Sequence, residues 1–175
     1  MQTHWGRILP AAGMFALIAF AADITTDYDH KADFSRYHTY SWLRSKASNS
    51  LWEDRIMGAV DSQLAAKGWT KVPSGGDASV AAVGTTKNEP TFTTFYNGMP
   101  GWGWRGWDGM STASTNVDYN KVGTLVVDVF DSSSKKLIWR AVATDTLSSK
   151  PEKNDKKLNE AAEKMFDKFP PKSKG

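Results

Sequence analysis

The amino-acid sequence predicts an α+β fold in which an antiparallel sheet carries two helices packed on one face, after an N-terminal signal segment. Apolar residues recur at alternate positions on both sides of the turn at residues 131–134, which is typical of an antiparallel hairpin. Two other segments, near residues 50–68 and 154–169, repeat apolar residues every three to four positions, as amphipathic helices do. The order of strands, helix, strands and helix favours one sheet with both helices on the same face.

Residues 1–21 are similar to a secretory signal peptide. Arg7 precedes an apolar run at residues 8–20, which ends in small residues at Ala19 and Ala21. The run is short for a bilayer span, which takes roughly 20 residues. A buried core helix is the alternative interpretation. Because the sequence contains no Cys to take a lipid anchor, we expect a periplasmic or secreted product with no transmembrane span after signal removal.

The rest of the chain has the composition of one ordinary domain, which we expect at residues 22–171, with a frayed tail at 172–175. Of the 175 residues, 40% are hydrophobic and 23% are charged. The net charge of +3 reflects a small excess of Lys. These lysines are mixed with acidic residues near the C-terminus, so nucleic acid is not an expected partner.

Enrichment in aromatic and β-branched residues predicts the strands in the first part of the domain. Five such segments precede the hairpin, at residues 24–29, 34–43, 69–72, 78–86 and 91–96. In the hairpin, Leu125, Val127 and Trp139 belong to the face expected to pack on the helices. Asp128 is assigned to the outward face, and Asp131 to the start of the turn.

The helices are predicted from their ends as well as their periodicity. Ser50 and Glu53 form a capping-box pattern, and Gly68 is expected to end the first helix in the left-handed conformation. The second helix is expected to begin near Asn154 or Asp155. Its apolar stripe consists of Leu158, Ala162, Met165 and Phe169.

Three stretches have a family likeness in their order and spacing. They are DFSRYHTYSW at residues 33–42, VGTLVVDVFD at 122–131 and LIWR at 137–140, and the likeness continues from 151–154 to 169–171. Together they resemble the bacterial envelope family catalogued as domain of unknown function 4136. The resemblance implies an α+β domain and an envelope location, and it supplies no catalytic residues. Many relatives are lipoproteins with a Cys after the signal, which this chain lacks.

A Gly- and Trp-rich segment, residues 97–114, is the candidate ligand-binding loop. Flat apolar rings beside polar groups suit sugar rings, peptide side chains or a lipid headgroup region. The alternative is that the rings fold back and cover the sheet. The segment also matches G-x-G-x-x-G, but no helix is predicted after it, so nucleotide binding is not expected. The candidate residues are Trp102, Trp104, Arg105, Trp107 and Asp108.

No catalytic residue, cofactor or metal site is predicted. Asp27, Asp29, His30 and Asp33 lie close together in the sequence, but they lack the ligand spacing of a calcium loop. We interpret them as a solvated strand end. The sequence has no G-x-S-x-G or HExxH pattern, which excludes those recognisable hydrolase motifs.

These observations predict a cell-envelope protein that acts as a non-catalytic binding or assembly module, with an envelope protein or a glycan as partner. One alternative is a glycan- or peptidoglycan-binding protein that uses the Trp-rich loop. Another is a small hydrolase with an unrecognised site. A pocket lined by Trp102, Trp104 and Trp107 would favour the glycan binder. A cleft containing His30 or a buried carboxylate would favour the hydrolase.

The signal-like start predicts cleavage during export. N-terminal sequencing of the exported protein should begin at Ala22, or within about two residues of it, because the small-residue pattern ends at Ala21. A soluble cytoplasmic product that keeps Met1 would contradict this prediction.

Overall fold

Six strands and two helices form the part of the chain that the computed structural model describes, which is residues 22–86 and 121–171. The α+β prediction is confirmed. The signal segment, the strand predicted at 91–96, the Trp-rich loop and the tail at 172–175 lie outside the described residues. In chain order the elements are β1 (Asp23–Tyr28), a 3-10 turn (Phe34–Arg36), β2 (Thr39–Lys46), α1 (Ser50–Ala66), β3 (Thr70–Lys71), β4 (Ala78–Thr86), β5 (Val122–Asp131), β6 (Leu137–Thr146) and α2 (Pro151–Phe166).

The described strands form a mixed sheet in the order β1-β6-β5-β4-β2-β3. The pairs β1–β6, β6–β5 and β5–β4 are antiparallel. Strand β2 runs parallel to both of its neighbours, β4 and β3. The prediction of a purely antiparallel sheet was therefore wrong. The reason is the 17-residue helix α1, which follows β2 and carries the chain back along the sheet. A strand that follows such a crossover enters from the same end as the strand before it.

Both helices cover one face of the sheet, as predicted. The buried side chains of β5 and β6 on this face include Leu125, Val127 and Trp139. They pack with Val60 and Leu64 of α1 and with apolar residues of α2. The contributing residues of α2 and of the segment after it are Leu158, Ala161, Met165, Phe166 and Phe169.

The other face carries a buried ion pair that corrects one assignment from the sequence. Asp128 lies on the face away from the helices, but it is fully buried rather than exposed to solvent. Its carboxylate accepts two hydrogen bonds from Arg140, at 2.5 Å from Nε and 2.6 Å from the terminal nitrogen. The two residues are register partners on β5 and β6. A bidentate pair of this kind satisfies both charges away from water, so a carboxylate can occupy a position that alternation alone assigns to solvent.

The helix ends differ from the predicted ones by a few residues. Asn49, not Ser50, caps α1, because its side chain accepts from the backbone N–H of Trp52 at 3.1 Å. Glu53 instead accepts from the backbone N–H of Ala47. Gly68 has φ of +84°, which confirms the predicted left-handed end of the helix. The second helix begins at Pro151, a residue well suited to a first helical position since it has no N–H to leave unpaired.

An aromatic cluster closes the end of the helix layer at which both helices terminate. Phe169 lies at its centre, with ring centroids 5.1 Å from Trp69, 4.9 Å from Trp139 and 6.0 Å from Phe34. Most of these contacts are edge-to-face, the arrangement that aromatic quadrupoles favour. The aromatic cluster consists of Phe34, Tyr37, Trp69, Trp139, Phe166 and Phe169.

Truncation of Trp139 tests this packing. Trp139→Ala should lower the free energy of unfolding by about 3–5 kcal/mol, because a buried indole leaves a cavity that its neighbours cannot fill. Leu51→Ala is the matched control, since Leu51 is 57% exposed and should change stability by about 0.5 kcal/mol or less. Denaturant unfolding measures both variants. A loss under about 1 kcal/mol for Trp139→Ala would contradict the assignment of the buried face.

Candidate functional site

A cleft with a volume of about 240 Å³ opens between the N-terminal halves of α1 and α2. It lies at the end of the helix layer opposite the aromatic cluster. The two helices run in the same direction, since Arg55 pairs with Asp155 near their starts and Lys67 donates to the Asp167 carbonyl near their ends. Both helices therefore begin beside the cleft. The end of β4, the start of β5 and the end of β6 form its floor.

Small residues on the sheet allow this cleft to form. A Cβ on Gly84 would lie 2.8 Å from Ile56 Cδ1, and a Cβ on Gly123 would lie 2.8 Å from Leu147 Cδ2. Both distances are shorter than real contacts, so these glycines let Ile56 and Leu147 rest directly on the backbone of the sheet. The apolar lining consists of Ala47, Trp52, Ile56, Leu125, Ala143, Leu147, Leu158 and Ala161.

One wall of the cleft is fixed by two sets of polar contacts. Asn154 and Ser148 exchange hydrogen bonds, with the Ser148 N–H donating at 2.7 Å and the Asn154 amide donating at 2.8 Å. Lys157 donates to Asp145 Oδ1 at 2.9 Å and to the Thr146 carbonyl at 2.8 Å. These contacts tie the start of α2 to the end of β6 and so fix the position of this wall. Asn154, predicted to cap the helix, instead caps the loop that precedes it.

The described lining of the cleft carries few charged groups. Among the described lining residues the charged side chains are Lys121, Lys157 and Asp145. Asp145 is the single carboxylate among them, and Lys157 neutralises it. Neither His30 nor His38 is part of the described lining. A general base needs a group that is free to accept a proton from a bound substrate, and the salt-bridged Asp145 is poorly suited to that role.

The described groups with shifted pKa values do not line the cleft. Burial raises the pKa of Tyr40, whose hydroxyl donates to Asp61 of α1, and several of the other groups hold turns. Burial raises the pKa of Tyr37 to about 12, and its hydroxyl donates to Asp131 at 2.9 Å. Hydrogen bonds from Ser133 and Ser134 hold the pKa of Asp131 well below its usual range. Asp131 thus caps the turn of the hairpin, as predicted. The same kind of contact holds the pKa of Asp77 low, since its carboxylate accepts from the backbone N–H groups of His38 and Thr39 at the start of β2. These shifts have structural causes, so they do not indicate a catalytic centre.

The acidic residues near β1 are held by local contacts. Asp29 pairs with Lys136, and Asp33 accepts from the backbone and hydroxyl of Ser35. Asp27 accepts from the Tyr28 N–H. Within residues 22–86 and 121–171, no three His, Cys, Asp or Glu side chains come together as a metal site would require. Neither described helix is both long and apolar enough to span a bilayer.

The ligand-binding residues predicted from the sequence lie outside the described part of the chain. They are Trp102, Trp104, Arg105, Trp107 and Asp108, and their role stays a prediction. The cleft was not predicted, because its lining comes from many separate segments. One signal was present, since Gly84 and Gly123 interrupt strands and glycine in a strand often marks a close approach of another group.

Solved structures share the fold at low sequence identity. A PDZ domain protein from Parabacteroides distasonis is similar over 89% of this chain, with 14% identity and a TM-score of 0.59. The chain spans only 37% of the length of that protein. A PelC dodecamer from Paraburkholderia phytofirmans is similar over 83% of this chain and 94% of its own, with 13% identity and a TM-score of 0.51. These likenesses show the fold alone.

No curated protein matches the chain. A family model does match it, over residues 24–171. The matched range begins within β1 and ends after α2, so it includes every described element of the sheet and both described helices. The chain therefore belongs to the family described as Domain of unknown function (DUF4136).

Proposed function

We propose that this chain is a non-catalytic binding module of the bacterial cell envelope, and that it holds its ligand in the cleft between α1 and α2. The cleft carries the proposal. It combines an apolar floor with a few polar groups in fixed positions, which is the usual character of a ligand site. The signal-like residues 1–21 support export to the periplasm or beyond.

The polar contacts around the cleft support binding without chemistry. Lys157 and Asp145 neutralise each other, and Asn154 holds the adjacent loop. The shifted pKa values of Tyr37 and Asp131 arise from a buried turn contact at the far end of β5. A hydrolase would require a nucleophile next to a free base, and the described lining offers no such pair.

Blocking the cleft tests the proposal. Ser48 is exposed and lines the cleft, so Ser48→Trp should fill the mouth without disturbing the core. The full-length gene is expressed, and the exported protein is isolated from the envelope fraction for native mass spectrometry. We expect the unaltered protein to carry a bound species that dissociates on unfolding. Ser48→Trp should reduce the occupied fraction by about tenfold, since the added ring takes the place of the ligand.

Ser74→Trp is the matched control, because Ser74 is an exposed serine that does not line the cleft. It should retain the bound species at the level of the unaltered protein. Equal occupancy in Ser48→Trp and Ser74→Trp would show that the ligand binds elsewhere. Absence of any bound species in the unaltered protein would also count against the proposal.

A further inference from the structure

We infer that the ligand of the cleft is a single-chain anionic amphiphile, with its apolar chain on the floor and its charged head at Lys121 and Lys157. This inference rests on the proposed function and specifies the ligand of the same site. It follows from three properties of the described residues: the volume of the cleft, the position of its apolar lining and the charge at its rim.

The volume limits the apolar part of the ligand. The cleft holds about 240 Å³, whereas an apolar cavity of about 150 Å³ accommodates benzene and sites for drug-sized molecules start at about 300 Å³. This volume matches a short length of one hydrocarbon chain.

The lining separates apolar from polar groups. Leu125 and Ala143 are buried at the floor and Ile56 of α1 is buried against it, so an apolar chain placed there would lose its contact with water. Leu158 and Ala161 of α2 continue this surface along the wall. The ammonium groups belong to Lys121, which is exposed, and Lys157, which is partly exposed. A ligand that spans both regions must be apolar at one end and polar at the other.

The charge at the rim determines the sign of the polar end. Lys157 gives two of its three donors to Asp145 and Thr146, which leaves one for a ligand. Among the described residues Lys121 has no acidic partner, so its full charge faces the solvent at the cleft. With Asp145 neutralised by Lys157, the lining carries one uncompensated positive charge. A carboxylate or phosphate head complements that charge, and a cationic or uncharged head does not.

A protein partner is a less favourable occupant. A stable protein interface buries roughly 1,200–2,000 Å², and the cleft offers only a narrow apolar floor beside charged side chains. We therefore assign the site to an acyl chain with an anionic head, which can be a fatty acid or a lysophospholipid.

Titration calorimetry with matched probes tests this inference on the full-length protein after export. The probes are decanoate, 1-decanol, decanoyl lysophosphatidylglycerol and inorganic phosphate, with decanoate and the lysophospholipid kept below their critical micelle concentrations and 1-decanol below its solubility. Decanoate should bind about tenfold more tightly than 1-decanol, as a charge-assisted contact with Lys157 and Lys121 requires. Inorganic phosphate should not bind measurably, because it lacks a chain. The ratio of affinities for decanoate and the lysophospholipid distinguishes a carboxylate ligand from a phosphodiester ligand.

Two lysine variants separate the recognition of the head from general electrostatics. Lys121→Gln should weaken decanoate binding about threefold to fivefold, as expected for an exposed ion pair, and should leave 1-decanol binding unchanged. Lys164→Gln is the matched control, since Lys164 is an exposed lysine near the far end of α2. It should alter neither affinity. Equal effects of Lys121→Gln and Lys164→Gln, or equal affinities for decanoate and 1-decanol, would overturn the inference.

The two experiments together distinguish an error in the assigned ligand from an error in the proposed binding site. If Ser48→Trp removes the native bound species but no acyl probe binds the unaltered protein, the cleft is a binding site and the assigned ligand is wrong. If Ser48→Trp removes neither the native species nor decanoate binding, both the site and the ligand class are wrong.

Discussion

The contacts of the Phe169 ring hold together parts of the chain that are far apart in sequence. Phe34 precedes β2, Trp69 follows α1, Trp139 lies in β6, and all three contact Phe169 after the end of α2. Burying large apolar rings against one another contributes a large favourable free energy, because much apolar surface leaves water. The edge-to-face geometry of the ring pairs favours one arrangement of the rings over others. The aromatic cluster therefore fixes where both helices end on the sheet.

Because the aromatic cluster holds the helices at one end of the helix layer, the opposite end does not need the same dense packing. There the two helices begin, and small residues such as Gly84, Gly123 and Ala143 replace the large rings. Among residues 22–86 and 121–171, small residues of the sheet leave a cleft beneath the helix starts, while the Asn154 and Lys157 contacts keep its wall in place. One end of the layer is thus filled by packed rings, and the other contains the cleft that we propose as a binding site.

Local patterns predicted much of this fold. The hairpin β5–β6 and the apolar stripes of the helices can be predicted from the spacing of apolar residues within each segment alone. The parallel pairing of β2 with β4 does not, because it depends on the path of α1 across the sheet. The burial of Asp128 was not predicted for a similar reason, since its carboxylate pairs with Arg140 in the neighbouring strand. The cleft could not be predicted, because it arises only when segments distant in sequence come together.

The most direct measurement of the central claim is a double-mutant cycle across the aromatic cluster. Trp69→Leu, Phe169→Leu and the double variant are compared by denaturant unfolding, since these two rings connect the ends of α1 and α2. If the rings act together, the coupling free energy should be about 0.5–1.5 kcal/mol. Losses that add within about 0.3 kcal/mol would show that the rings contribute independently, and would contradict the account in which this cluster positions both helices.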